Sequence, residues 1–452
     1  MNDKNKSVAI IGGGLAGLSL GVELADAGFA VTILEKNAYL GGRASNIIDS
    51  KTRDPVPIGP HIFIKGYRYF HEFLKKIDAH ESIVWERKLF LELIYNGRHF
   101  QFRMSDLPTS LFSLHRLLRY PFANTKDKLS NVRFALRTLL ASREKLEELD
   151  GITARDYLLS CGVSKKSIDA MWRFFVLSML NVPIELCSAA ELCLLVKDWA
   201  GVKDRHIGFA KTGLGDMYTK NAGDYIAARG GTIEKNTTVN RIIFSSKSID
   251  HLEVECNGSR SKLTSDLYVS ALNPLQLKNL LPAQSLSMDF FGNLKAFKGV
   301  SYISVNIWFD RKITRKKFWA LLDDSEMRGY LNMDFYDLSN IYETRKGSSY
   351  IASNIIYSEL FENLSDREIV QKTLEELHEI FPRMDANVIH SHVHRIPYVI
   401  YAPYPGMRRH KLPHKTPIPN FYLCGDWTNK HIPQCMEAAA QSGFECAQAI
   451  QS

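Results

Sequence analysis

The sequence predicts an α/β protein with a doubly wound parallel sheet, into which a second region of mixed α+β structure is inserted. The first 35 residues alternate a β-branched run, a glycine turn, a helical pattern and a second β-branched run. The middle of the chain is different, because 126–149 and 164–180 carry charges and apolar residues at helical spacing. The 452 residues also exceed the roughly 250–300 that one hydrophobic core serves.

The composition is that of an ordinary globular protein, with 45% hydrophobic and 23% charged residues. A net charge of +8 is small for a nucleic-acid-binding protein of this size but compatible with an anionic membrane surface.

The seven cysteines include no C-x-x-C pair, which favours a reducing compartment and a cytoplasmic protein. No other stretch after the N-terminal glycine-rich run approaches the ~20 apolar residues of a spanning helix, so any membrane contact is expected to be peripheral, at the inner face. The oligomeric state is not predicted.

The first elements follow one another without a gap. Residues 7–11 form a short apolar run typical of a buried parallel strand. The pattern over 15–27 predicts a helix that Gly28 ends, and 29–34 predicts a second strand. This order of strand, glycine turn, helix and strand is the one that binds dinucleotides.

Each residue of the glycine turn has a physical task. Gly12 makes the tight turn, Gly14 lets the backbone approach a pyrophosphate, and Gly17 allows the helix to pack closely on the strand. The helix N-terminus, at Leu15 and Ala16, supplies unpaired N–H groups and partial positive charge for phosphates. At the end of the second strand, Glu35 can accept hydrogen bonds from both hydroxyls of an adenosine ribose.

A second glycine pair follows in the segment that begins at Lys36. Gly42 permits another close backbone approach, and Arg43 can form a fork onto a phosphate oxygen. With these motifs the sequence resembles the flavoproteins of the amine oxidase and carotenoid desaturase superfamily, which have two dinucleotide-binding domains. The resemblance implies that the cofactor is FAD rather than NAD.

Further segments resemble the same superfamily. Residues 211–242 look like the returning FAD-domain segment, in which the resemblance places the Val239 backbone against adenine. Residues 421–443 look like the closing motif, where Gly425 and Asp426 meet the ribityl and phosphate portion and Met436 begins a helix facing the flavin. The predicted cofactor-binding residues are therefore Gly12, Gly14, Leu15, Ala16, Gly17, Glu35, Lys36, Gly42, Arg43, Val239, Gly425, Asp426 and Met436.

Within the superfamily, the chain most resembles phytoene and ζ-carotene desaturases and squalene-type members such as the hydroxysqualene dehydroxylases. Residues 58–77, 299–313 and 395–406 carry this resemblance, which implies an FAD-dependent oxidoreductase acting on a long apolar isoprenoid. Departures at Ile58 and Tyr398 leave carotenoid desaturation open. The alternatives are a flavin amine oxidase, a redox-neutral flavin isomerase, and a non-catalytic flavin- or lipid-binding protein.

His61 is the candidate catalytic residue, as a general acid or a hydrogen-bond donor to the substrate near the flavin. The competing interpretation is a histidine satisfied within the core. The alternation of His390, His392 and His394 places three imidazoles on one face of a strand, but roughly 7 Å apart, which disfavours a shared metal ion. No metal site is predicted.

Two segments are candidates for contact with lipid. Residues 110–122 combine apolar and basic side chains without an acid, as in a helix lying in a membrane interface, although packing on the core explains them equally well. The basic run 408–411 could be solvated or could contact anionic lipid. The expected division of the chain is an FAD-binding domain of residues 1–95, 205–290 and 415–452, and a substrate domain of residues 96–204 and 291–414.

Overall fold

The computed structural model describes residues 6–86, 90–95, 98–103, 124–245, 247–322, 329–343 and 347–452. The predicted interfacial helix at 110–122 lies outside these residues.

The described strands are β1 Ser7–Ile11, β2 Ala30–Leu34, β3 Asn46–Ile48, β4 Pro55–Pro57, β5 Phe63–Ile64, β6 Ile83–Trp85, β7 Phe90–Tyr95, β8 Arg98–Arg103, β9 Ile207–Ala210, β10 Thr232–Glu234, β11 Thr237–Phe244, β12 Ile249–Cys256, β13 Ser259–Leu263, β14 Leu267–Ser270, β15 Gly299–Phe309, β16 Phe318–Leu322, β17 Asp334–Asp337, β18 Tyr350–Ile356, β19 Val388–Tyr401 and β20 Phe421–Leu423. The described α-helices are α1 Leu15–Asp26, α2 Tyr69–Lys76, α3 Thr125–Leu140, α4 Arg143–Glu147, α5 Ala154–Ser160, α6 Lys165–Ser167, α7 Arg173–Leu180, α8 Ala189–Gly201, α9 Thr219–Ala227, α10 Pro274–Leu280, α11 Asp289–Gly292, α12 Leu338–Ile341, α13 Asp366–Ile380 and α14 Met436–Gln451.

The predicted parallel sheet is confirmed. Its five strands lie in the order β10-β2-β1-β14-β20, and every neighbouring pair is parallel. The chain leaves β1 towards β2 on one side and later adds β14 on the other side. The loop after β1 is therefore at the point where the strand order reverses, which is where open α/β sheets bind ligands.

The two faces of this sheet are covered differently. On one face, alternate residues of β1 and β2 pack with α1, α9 and α14 in one hydrophobic core. On the other face, Ala9, Ile11 and Leu34 pack with the antiparallel sheet β11-β12-β13 and with α10 and α11. An antiparallel sheet thus takes much of the place that helices have in a strictly doubly wound domain.

A seven-stranded sheet in the order β19-β15-β18-β17-β16-β7-β8 forms the centre of the second region. Its pairs are antiparallel except for β16 with β7. One face packs against α13, through residues such as Val305, Ile307 and Phe335. The other face, which carries Tyr302 and Ile356, looks towards the helices between 125 and 201.

The strand β7 affects the expected division of the chain. The expected boundary at residue 95 puts β7 in the first domain, but β7 pairs with β8 and β16 of the seven-stranded sheet. We therefore propose that the first segment of the parallel-sheet domain ends before residue 90. Among the described residues, no helix is both long enough and apolar enough to span a bilayer.

Candidate active site

A large cavity of about 1040 Å³ connects the two regions. At one end it is bordered by the loop after β1, the segment 34–44, Thr237–Val239 and Gly425–Asp426. At the other end it is bordered by the seven-stranded sheet and by α3, α7 and α8. The cavity therefore joins the predicted dinucleotide site to the predicted substrate region.

The three glycines of the first loop differ in the space around them. Gly12 has a φ of +109°, which L side chains rarely adopt, so it makes the turn. A Cβ on Gly14 would meet nothing within 4 Å, whereas a Cβ on Gly17 would lie 2.1 Å from the Gly12 carbonyl oxygen. Gly14 thus leaves the loop open towards the cavity, and Gly17 serves helix packing rather than lining the cavity.

The second glycine pair lies directly against the first loop. The Gly41 amide donates to the Gly13 carbonyl over 2.8 Å, and Gly41 and Gly14 form a parallel bridge. A Cβ on Gly42 would lie 3.3 Å from the Gly14 Cα. Two stretches of bare backbone therefore meet at the N-terminus of α1, where no side chain caps the helix. Such a cradle suits a pyrophosphate.

Arg43 does not point freely into this cradle. Its Nη2 lies 3.0 Å from Oδ1 of Asp426, and its Nη1 donates to the Val399 carbonyl oxygen. The guanidinium also lies over the Tyr398 ring, 5.6 Å from its centroid. In this arrangement Arg43 connects the second glycine loop with the closing motif, and its fork onto a phosphate oxygen stays a prediction.

Glu35 is buried, with 6% of its surface exposed, and its carboxylate has three hydrogen-bond donors. Oε2 accepts from the Gly13 amide at 2.9 Å, while Oε1 accepts from the Asn37 amide at 2.9 Å and the Asn37 side chain at 2.8 Å. A carboxylate oxygen has a second acceptor position, so these bonds leave room for ribose hydroxyls. Glu35 consequently shapes the glycine loop as well as lining the cavity.

The closing motif brings a second helix N-terminus to the cavity. Helix α14 begins at Met436, as predicted, and no side chain caps it. The buried carboxylate of Glu437 accepts hydrogen bonds from the backbone amides of Arg68, Tyr69 and Phe70, at the start of α2, at 2.9–3.0 Å. The first turn of α14 is thereby held against α2.

The structure brings nearly all predicted site residues together. Thirteen of the fourteen line this one cavity, and Gly17 is the exception for the packing reason given above. Their positions range from residue 12 to residue 436, so the site exists only in the folded chain.

His61 lies in the cavity wall in a defined protonation state. Its Nδ1 is 2.5 Å from the carbonyl oxygen of Gly59, which can only accept, so Nδ1 carries the proton. Burial lowers the pKa of His61; the Gly59 carbonyl opposes this and nearby Arg43 reinforces it. The neutral ring then presents Nε2 as an acceptor. The sequence predicts a general acid or a hydrogen-bond donor at His61, whereas this geometry favours a base or an acceptor.

The far end of the cavity is mainly apolar. Its lining includes Ala135, Leu139, Met171, Trp172, Phe174, Phe175, Met179, Leu195, Val196, Trp199, Phe318, Ala320, Ile356 and Ile396. Four polar residues that the sequence does not single out line the same compartment, namely Tyr302, Asp334, Tyr336 and Asn354. The available signal was alternation: in a strand every second residue faces the same side, so Asp334 and Tyr336 share the cavity face.

Two of the three histidines in the row of β19, His390 and His392, lie beside the carboxylate of Asp49. Nε2 of His390 lies 3.0 Å, and Nδ1 of His392 3.7 Å, from Oδ2 of Asp49. Burial raises the pKa of Asp49, but hydrogen bonds from the Thr52 and Lys51 amides, the Thr52 side chain and His390 outweigh it and lower the pKa to about 2. Among the described residues, no group of three or more His, Cys, Asp or Glu side chains is arranged to hold a metal ion.

Two residues of the basic run at 408–411, Arg408 and Lys411, are neither solvated nor available to lipid. Arg408 is 3% exposed and pairs with Glu147 and Glu191, and Lys411 is 2% exposed and pairs with Glu191. Arg409 is exposed. The reason is that burying a charge requires a partner, and α4 and α8 bring the two acids to this loop.

The protein combines a parallel sheet, a glycine loop at the point where the strand order reverses, and a large apolar compartment next to that loop. This combination is typical of enzymes that use a dinucleotide cofactor. Residues 15–451 match the model of the flavin-containing amine oxidoreductases, and the chain belongs to that family. It is 27% identical to a 15-cis-phytoene desaturase of Narcissus pseudonarcissus, over 99% of this chain and 80% of that protein.

A probable ζ-carotene desaturase of Synechococcus elongatus is 25% identical, over 98% of each protein. Among solved structures, an oxidoreductase from Methanosarcina mazei has the same fold, with a TM-score of 0.72 and 16% identity over 99% of this chain and 100% of that one. The protein is therefore an FAD-dependent oxidoreductase. The bare-backbone cradle, the helix N-termini of α1 and α14 and the Glu35 carboxylate fit the parts of FAD.

Proposed function

We propose that the protein catalyses FAD-dependent oxidoreduction of a long apolar isoprenoid. The observation that carries this proposal is the shape of the cavity, which continues from the glycine loops into a compartment lined mainly by aliphatic and aromatic side chains. The likeness to phytoene and ζ-carotene desaturases supports the same substrate class. When bound, FAD exchanges hydride equivalents with a substrate through its flavin ring.

The protein's own residues would bind FAD, orient the substrate and enclose the reacting atoms. The loops at Gly12–Gly14 and Gly41–Gly42 would hold the pyrophosphate, and Glu35 the ribose. Residues such as Phe174 and Trp199 would exclude water from the reacting carbon atoms, because they cover the compartment from the helical side. His61, neutral at Nε2, would accept a proton or a hydrogen bond from the substrate.

A flavin amine oxidase is the second candidate, since its family model matches this chain. A lysine and an aromatic cage over the flavin would favour it. Within the described residues, Lys36 is the only lysine that lines the cavity, and it follows Glu35 at the glycine-loop end, away from the aromatic compartment. The site therefore supports the isoprenoid substrate better.

Anaerobic reduction of the bound flavin tests the proposal. The purified holoprotein is mixed with phytoene or another long isoprenoid in detergent, and separately with primary amines and polyamines. We expect loss of flavin absorbance near 450 nm, a general property of reduced flavin, with isoprenoids only. Bleaching by amines alone would assign the protein to the amine oxidases. An unchanged spectrum with all substrates, in a protein that dithionite reduces, would refute oxidation of an isoprenoid.

We also propose that the protein draws this substrate from a membrane surface. Helix α3 presents Leu129, Leu136 and Leu140 to solvent, with exposures of 68%, 40% and 84%. Exposed basic residues, including Arg133 and Arg137, lie on the same helix, and its acid Asp127 is buried. A neighbouring side of α3 lines the cavity through Ala135 and Leu139. This combination suits a helix resting on anionic lipid next to a substrate entrance.

A further inference from the structure

The three alternating histidines of β19 run from the cavity to the protein surface. His394 is the member of the row that lines the cavity. Further along the strand, the side chains of His392 and His390 are 31% and 20% exposed. Every second residue of a strand faces the same side, so the three rings form one row on β19, which is the last strand at one edge of its sheet. The row therefore connects the cavity with solvent.

The two inner rings are close enough to exchange a proton through one water molecule. The ring centroids of His392 and His394 are 6.2 Å apart, with 19° between the ring planes. A water molecule bridges polar groups across such a gap, and an imidazole accepts a proton on one nitrogen and releases it from the other. Burial, followed by the charge of His392, lowers the pKa of His394. His394 is therefore neutral at neutral pH and able to accept a proton from the cavity.

A fixed negative charge lies at the outer end of the row. Oδ2 of Asp49 is 3.7 Å from Nδ1 of His392 and 3.0 Å from Nε2 of His390. Since its hydrogen bonds outweigh burial and lower its pKa to about 2, Asp49 stays ionised at neutral pH. A proton that reaches His392 thus meets an opposite charge beside the solvent.

The strand next to β19 places buried polar side chains alongside the histidines. His394 is opposite Ser304, and His392 is opposite Asn306, so these side chains share one face of the sheet. Nδ2 of Asn306 donates to Oγ of Ser304 over 3.2 Å, and the Tyr350 hydroxyl donates to Oδ1 of Asn306 over 2.9 Å. The row therefore has hydrogen-bonding neighbours, which reduce the cost of a charge at this depth.

We propose that His394 and His392, with Asp49 and His390 at the outer end, form a proton pathway between the cavity and solvent. Oxidation of a substrate by hydride transfer leaves one proton behind for every hydride that the flavin accepts. Nε2 of His61 accepts this proton, His394 in the wall of the same cavity passes it on to His392, and His392 releases it to solvent. The inference requires an FAD-dependent oxidoreductase but no particular substrate, so it goes beyond the proposed function.

Reoxidation of the reduced holoprotein by ferricyanide tests the pathway without a substrate. The protein is photoreduced anaerobically and mixed with excess ferricyanide in a stopped-flow instrument. Ferricyanide takes electrons only, so singly protonated reduced FAD gives oxidised FAD, one proton, and two electrons that reduce two ferricyanide ions. Flavin absorbance follows the electrons, and a pH indicator in weakly buffered solution follows the proton.

The informative variants are His394→Gln and His392→Gln. Glutamine keeps a hydrogen-bonding side chain at each position but does not carry a proton at neutral pH. His378→Gln is the matched control, because His378 is exposed on α13, which packs against the other face of the same sheet. Each variant must retain FAD at the wild-type ratio.

We expect proton release to keep pace with flavin reoxidation in wild type and in His378→Gln. In His394→Gln and His392→Gln it should lag by at least about tenfold. Added imidazole should remove this lag, because a diffusible ring replaces the missing one.

The proposal is overturned if proton release keeps pace with reoxidation in both variants, or if wild type and the control show the same lag. A lag that imidazole leaves unchanged would also overturn it, since that result indicates a structural effect of the substitution. Because no isoprenoid is present, none of these outcomes depends on the proposed substrate.

Discussion

The carbonyl oxygen of Gly12 occupies the space that a side chain on Gly17 would need, since a Cβ there would lie 2.1 Å from it. The turn and the first helix are therefore packed with backbone against backbone. Gly14, three residues earlier, has nothing within 4 Å of its Cβ position and an extended φ of −73° that alanine also adopts. Gly17 is therefore required for the packing of the helix on the turn, whereas Gly14 leaves open space at the predicted cofactor site.

We expect Gly17→Ala to destabilise the apoprotein by about 1–3 kcal/mol or more, because overpacking forces the helix away from the turn. Gly14→Ala should change apoprotein stability by less than about 0.5 kcal/mol, yet weaken FAD binding, because its methyl group would occupy the cradle. Denaturant unfolding of both apoproteins and FAD titration check this pair. Equal stability losses would show that the two positions do not differ as the structure indicates.

Replacing Glu35 by Ala should lower FAD affinity at least about tenfold, because it removes an ionised acceptor whose hydrogen bonds contribute roughly 1.5–3 kcal/mol each. It also frees the Gly13 amide, which Glu35 holds at 2.9 Å. Glu35→Gln keeps one acceptor oxygen and should lie between wild type and Glu35→Ala. Unchanged FAD occupancy in Glu35→Ala would mean that the ribose is held elsewhere.

FAD should be released from the protein by acid or heat. The thiol that lines the cavity is Cys435, and burial raises its pKa to about 12, so it stays protonated and a poor nucleophile. After precipitation of the chain, the yellow colour is expected in the supernatant. Flavin that remains with the denatured chain would contradict this prediction.

Asp198 should destabilise the protein at high pH. Burial, followed by the charge of Glu437, raises its pKa from 3.8 to about 6. The folded state therefore holds a proton between these values that the unfolded state has lost, so stability falls as the pH rises from about 4 to 6 and stays reduced above that.

We expect Asp198→Asn to raise stability by about 1–3 kcal/mol at pH 8 and by progressively less below pH 6. Thermal unfolding at pH 5, 6.5 and 8 measures the difference. Asp224→Asn, on the exposed side of α9, is the control and should show no such trend. A gain that is the same at every pH would indicate lost packing strain instead of a raised pKa.

Membrane binding should depend on the exposed leucines of α3. Co-sedimentation with anionic vesicles should fall strongly when Leu129, Leu136 and Leu140 are changed to Ser, and salt should partly reverse wild-type binding, because charges are screened over about 8–10 Å. Leu360→Ser is the control, since Leu360 is 61% exposed elsewhere.

Wild-type protein that stays in the supernatant would contradict delivery from the membrane. The segment 110–122 is tested separately, with Phe112, Leu117 and Leu118 changed to Ser. If this variant loses binding and the α3 variant does not, the surface lies in that segment.

The sequence by itself determined the parallel-sheet domain and most of the predicted cofactor residues that line its cavity. Strand β1, the glycines, helix α1 and strand β2 are adjacent in the chain, so local sterics and periodicity are sufficient to predict them. The start of α14 at Met436, and the lining residues Val239, Gly425 and Asp426, followed from the resemblance to a known superfamily.

Only the tertiary structure decided which groups meet across long separations. The pairing of Arg43 with Asp426, the burial of Arg408 against Glu147 and Glu191, and the position of Tyr302 beside Gly59 join segments that are far apart in the chain. A basic run has the same sequence whether it is solvated or neutralised by acids from another helix. Such contacts depend on register and packing, which no local pattern contains.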